Sequence, residues 1–146
     1  MSDKQTQGQG WLARLERRLF EASLPQVVQG MRHEASVEFR ALVRDLEAPM
    51  VLGFEREAAR TLNAAGQRDL IPAETLMPEM MARFSLSREA FAGEPSGYAK
   101  LERVCNRCPA VGRCWKAMRA GASREVCRAF CPNAAAFEHR AMAAAS

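Results

Sequence analysis

Apolar residues recur at three- and four-residue steps along most of this chain, and no stretch alternates convincingly at a period of two. Trp11, Leu12, Leu15, Leu19 and Ala22 draw the first stripe, which predicts a helix from Trp11 to about Leu24. Pro25 then breaks that helix or opens the next. Val28, Met31, Ala35, Phe39, Leu42 and Leu46 step by 3, 4, 4, 3 and 4, so a second helix is expected over about 26–48, ended by Pro49. Val51, Phe54, Ala58, Leu62 and Ala65 repeat the pattern over about 51–65, with Gly66 as a stop. A fourth helix starts near Pro72 and carries Leu76, Met77, Met80, Met81 and Phe84 as core filler. Ser87 is an N-cap for a short piece anchored by Phe91.

The stretch Gly93–Gly97 (GEPSG) is the best linker in the chain. Beyond it the pattern predicts helices over Tyr98–Cys105 and Ala110–Ala120, the latter stopped by Gly121. A short helix follows from a Ser123 cap, then a last one capped by Asn133. The fold class is therefore all-α. Residues 1–10 are polar and expected to be a disordered tail. Residues 11–93 form a helical N-terminal region, and residues 94–146 a small helical module.

That module holds every cysteine: Cys105, Cys108, Cys114, Cys127 and Cys131, spaced C-x2-C-x5-C-x12-C-x3-C. At 146 residues the chain is long enough to bury a core without covalent staples. No secretory signal is visible and no apolar run approaches a membrane span. A cytoplasmic setting follows, where lasting disulfides are uncommon and grouped thiolates more often mean metal or redox chemistry. The odd number of cysteines agrees, since they cannot all pair within one chain.

Charge sharpens the picture. Residues 1–93 carry 12 Lys/Arg against 13 Asp/Glu, whereas residues 94–146 carry 9 against 4. A nucleic-acid surface is one reading of that basic surplus. Local compensation is the favoured one: four thiolates around Zn²⁺, or around a doubly charged four-iron core, leave a site of about −2. Arg107, Arg113 and Arg128 would balance that charge or present the site to an acidic partner.

Cys105 and Cys108 point two sulfurs at one ion across a turn, Pro109 opens the next helix, and Cys114 faces back from within it. Closing a tetrahedral site or a cubane needs a fourth sulfur, from Cys131 or Cys127. Cys131 is preferred because Pro132 and Asn133 follow it, setting its sulfur at a chain reversal before a helix N-terminus. Cys127, one turn earlier, is a spare redox thiol, an alternative ligand or a small buried side chain. Zinc usually assembles from two short Cys pairs, here 105/108 and 127/131, which leaves Cys114 idle. Three close cysteines plus a remote Cys-Pro fit an iron–sulfur site better, expected as 4Fe-4S, with Trp115, Phe130 and Phe137 shielding it from water.

The string Cys105–Met118 followed by Arg128–Phe137 resembles an uncharacterised family of small bacterial cysteine-rich domains, whose pattern is C-x2-C-x5-C-x-x-W and then F-C-P-N-A-x-x-F. The resemblance covers about Leu70–Arg140 and implies Cys105, Cys108, Cys114 and Cys131 as the shared four. This chain departs in placing Trp115 directly after the third cysteine and in adding Cys127. A weaker similarity in ligand spacing links Cys105–Cys114 to WhiB-type iron–sulfur regulators, an analogy of ligands and not of fold.

His33 with Glu34 and Glu38 resembles half of a carboxylate–histidine metal site, but no Glu-x-x-His pair exists and a solvated helix face is the better account. Neither a phosphate loop nor a nucleophile elbow is present, so a hydrolase or nucleotide enzyme has no support. The expectation is a non-catalytic protein whose iron–sulfur cluster transfers electrons or senses redox state, with a protein redox or regulatory partner. The alternative is a structural zinc module for protein or DNA contact.

Overall fold

The structure, a computed structural model, describes residues 2–64 and 69–145, with side chains from Arg14 onward apart from Arg17. Gly66, expected as a helix stop, lies outside the described residues. The chain is 74% helical, with nine α-helices and no strand among the described residues, as the apolar spacing predicted. In order they are α1 (Ser2–Glu34), α2 (Ser36–Arg44), α3 (Leu52–Asn63), α4 (Pro72–Thr75) and α5 (Met77–Arg83). A 3-10 turn at Arg88–Phe91 precedes α6 (Pro95–Asn106), α7 (Val111–Arg119), α8 (Arg124–Arg128) and α9 (Ala134–Ala145).

Besides the division of the helix expected from Pro72 through Phe84 into α4 and α5 at Leu76, the breaks differ from expectation in three places. Helix α1 runs from Ser2, through the stretch expected to be disordered, and continues past Pro25 to Glu34. Leu24 and Val28, buried on either side of Pro25, seat that part of the helix on the core and offset the lost backbone hydrogen bond. The chain turns instead at Ala35, whose backbone leaves the helical region (φ −127°, ψ 48°), so the long stripe of residues 28–46 is split between two helices. In the third place, Pro95–Gly97 form the first turn of α6, which leaves only Gly93 and Glu94 of the expected linker between elements.

One hydrophobic cluster runs across that junction. Val28, Phe39, Val43, Ala58 and Leu62 from the first three helices join Met77, Met81, Phe84, Val111, Trp115 and Phe137. The most extensive helix pair is α3 on α7. Gly112 makes it possible: a Cβ there would collide with the Ala59 carbonyl and crowd the Asn63 side chain.

Long-range polar contacts of four side chains lock this packing, and those of Trp115, Asn63 and Asn106 meet backbone groups in the terminal turns of helices. The Trp115 indole N–H donates to the Val43 carbonyl in the last turn of α2, at 2.8 Å. The Gly112 N–H, in the first turn of α7, donates to Asn63 Oδ1 at 2.5 Å. Asn106 Oδ1 accepts from Ala73 N–H at the start of α4, at 2.9 Å. Arg119 lies over the Trp115 ring, 4.9 Å from its centroid. It donates to the carbonyls of Asp45, Leu46 and Ala48 just past α2 and pairs with Glu55 at 3.2 Å. A cation suits that helix end.

Candidate metal centre

Cys105 lies in the last turn of α6, and Cys108 in the turn that follows. Cys114 is on α7, and Cys131 between α8 and α9. All four line a single cavity of about 30 Å³. The rest of its wall is almost wholly apolar: Pro72, Leu76, Met77 and Met80 from α4 and α5, Val111 from α7, and Phe130, Pro132 and Phe137 around Cys131. Cys108 is buried, while Cys105, Cys114 and Cys131 are half-buried, so the cavity reaches the surface on their side.

Local structure explains the convergence. Residues 105 and 108 stand on either side of the end of α6, where Arg107 N–H and Cys108 N–H close the last turns onto Arg103 and Cys105 carbonyls. Cys114 is three residues, about one turn, beyond Val111, so both face the cavity from one side of α7. Asn133 is buried and its side-chain amide donates to the Leu101 carbonyl at 3.0 Å, which ties the start of α9 to α6. That tie brings Cys131 back to the other three. Residues remote in sequence thus set the geometry: Asn133 holds one cysteine, and Asn106 fixes α4 against α6.

The electrostatics are those of thiols held out of water. Burial pushes the Cys114 thiol far above its ordinary range, and the nearby sulfurs of Cys105, Cys131, Cys108 and Cys127 add to the shift. Burial likewise raises Cys131, opposed by hydrogen bonds from the Asn133 and Ala134 amides. Cys108 Sγ accepts from Ala110 N–H at 3.3 Å. Amide donors aimed at sulfur favour the thiolate over the thiol, and a bound cation would favour it more.

This donor set fits a thiophilic metal ion or cluster: four sulfurs, amide donors to two of them, and apolar walls. Among the described residues no three His, Cys, Asp or Glu side chains are already gathered into a group that could hold a metal ion. Neutral thiols have no mutual attraction to gather them, and thiolates repel; a bound cation would supply the pull.

Other expected site residues fall on both sides of the cavity wall. Phe130 and Phe137 line it. Trp115 does not: one residue along α7 from Cys114, it turns about 100° away and packs against the N-terminal helices. Cys127 is fully buried but does not line the cavity either. Arg113 is exposed, with its guanidinium 4.8 Å from the Phe130 ring centroid. Arg128 pairs with Glu138, and Arg107 is exposed at the end of α6. His33, Glu34 and Glu38 are exposed, in keeping with a solvated face. Sequence reading missed that the methionine-rich α5 walls the site. Met77 and Met80 carried the signal, since their apolar positions match a face that must cover something.

No family model, curated protein or solved structure matches this chain. Function therefore rests on the cavity and its sulfurs.

Proposed function

We propose that Cys105, Cys108, Cys114 and Cys131 together hold one iron–sulfur cluster, and that the protein transfers electrons or senses oxidants through it. The observation that supports this reading is that these four sulfurs, and not Cys127, line one otherwise apolar cavity. The three-plus-one arrangement is the iron–sulfur pattern, whereas the two-pair zinc pattern needs Cys127 in place of Cys114. Such a centre, when bound, supplies a one-electron couple. Phe130 and Phe137 exclude water from the sulfurs, and the Ala110, Asn133 and Ala134 amides stabilise charge on Cys108 and Cys131. Within this reading the chain joins the small bacterial cysteine-rich domains that its motifs resemble.

A structural zinc held by the same four thiolates is the second reading, favoured by the small size of the cavity, about 30 Å³. A cluster needs the half-buried side of the site to spread; a single ion does not. Among the described residues no helix is long and apolar enough to cross a membrane.

Protein purified without oxygen should be brown, absorb near about 400 nm and contain iron and acid-labile sulfide. Colourless protein with one zinc per chain would replace the cluster by zinc. Protein that takes up neither metal after reconstitution rejects the site altogether.

A further inference from the structure

The first apolar stripe of the sequence has no cover among the described residues. Leu15 and Leu19 are 42% and 63% exposed and Ala22 is exposed, although they recur at i, i+4 and i+7 as core positions do. At about 100° per residue, their shared face points roughly 140–180° away from Leu24, which is buried on the core side of the same helix. Helix α3 meets α1 on that core side, where Gly53 lies close against Leu24 and Arg56 pairs with Glu21 at 4.0 Å. In sequence, Leu12 holds the next position of the stripe toward the N-terminus. Gly8 and Gly10 lie further along the same helix, so local propensity gives this half of α1 little support. A cover for the stripe would supply what propensity does not.

The charges beside the stripe indicate what that cover is. Glu16 borders it on one edge and Arg18 on the other, each roughly 80° from its centre. Both are exposed, and among the described residues neither forms an ion pair. Two copies of α1 laid parallel, stripe to stripe, set the Glu16 edge of each against the Arg18 edge of the other. Laid antiparallel, they set like charge against like.

We propose that α1 pairs in parallel with α1 of a second copy of this chain along the Leu15, Leu19 and Ala22 face, making the protein a symmetric dimer. The inference is independent of what the cysteines bind. Apolar positions spaced by three and four, with opposite charges on the two flanks, form the pattern of a short two-stranded seam. The two-fold axis runs along the paired helices, and the two cores lie on its outer sides because each packs on the opposite face of its own α1.

Sedimentation equilibrium of the full chain, with reductant present to exclude intermolecular disulfides, reads the association directly. The mass should rise from 16.2 kDa toward twice that value over about a hundredfold range of concentration. The variant L15E/L19E, checked for an unchanged unfolding midpoint in dilute solution, should stay at 16.2 kDa throughout. Each of E16K and R18E should weaken association by about fivefold, and E16K/R18E should restore it. Wild-type protein that remains monomeric, or association that L15E/L19E leaves intact, overturns the proposal. Association indifferent to the single charge reversals overturns the parallel arrangement and the proposal with it. Monomeric protein that binds phosphatidylglycerol vesicles, and loses that binding in L15E/L19E, overturns it in favour of a lipid surface.

Discussion

Trp115 and Cys114 are neighbours on α7 but serve different regions. On the Trp115 side every polar group near the contact has a partner: the indole with Val43, Arg119 with three carbonyls and Glu55, and Gly112 with Asn63. On the Cys114 side the polar groups are sulfurs in an apolar cavity, with burial holding two of them as neutral thiols. The first region is satisfied as it stands and does the work of folding. The second gathers four sulfurs on an otherwise apolar wall, an arrangement that packing alone does not call for.

Substitutions on either side of α7 should separate the two regions. Trp115→Ala removes a fully buried side chain and leaves the Val43 carbonyl unpaired. It should cost about 4 kcal/mol in urea unfolding. Gly112→Ala drives a methyl group against the Ala59 carbonyl and should cost about 3 kcal/mol by prising α7 from α3. Cys114→Ser is the opposite case: a change of about 1 kcal/mol in the metal-free fold, but loss of bound metal on elemental analysis. If Cys114→Ser protein retains a full complement of metal, the division fails.

A pH series sharpens the same contrast. The thiols of Cys114 and Cys131 are raised by folding, so above the ordinary thiol pKa the unfolded chain binds fewer protons than the native one. Their stabilising effect on the metal-free fold is complete below about pH 8.5 and declines as the pH climbs above it. The urea midpoint of metal-free protein should therefore fall between about pH 8 and 10, and Cys114→Ser should flatten that fall. A midpoint that rises over this range would contradict the burial of these thiols. The smallest effect is expected at Cys127, which packs in the core outside the cavity. Cys127→Ala should cost about 1 kcal/mol and leave metal content unchanged.

Periodicity made the all-α class legible, together with α3, α6 and α7 to within a few residues, because apolar side chains at helical spacing must share a buried face. The spacing of Cys105, Cys108 and Cys114 was legible too, since residues that close in sequence stay close in space. The choice of Cys131 over Cys127 also came from local chemistry, the proline and asparagine that follow it. What the chain could not reveal by itself was every feature that depends on a distant partner. Pro25 is a breaker by local rules, yet Leu24 and Val28 meet enough core to carry the helix through it. Trp115 looked like a cover for the sulfurs until α2 supplied a carbonyl on the other side. Asn63, Asn106, Asn133 and Arg119 satisfy helix ends or carbonyls more than 30 residues away, and no local pattern marks them for it. Local preference acts through neighbouring backbone and side chains and is written in order along the chain. Satisfying the groups that helix ends leave unpaired depends on which ends the packing brings together, and only the folded arrangement decides that.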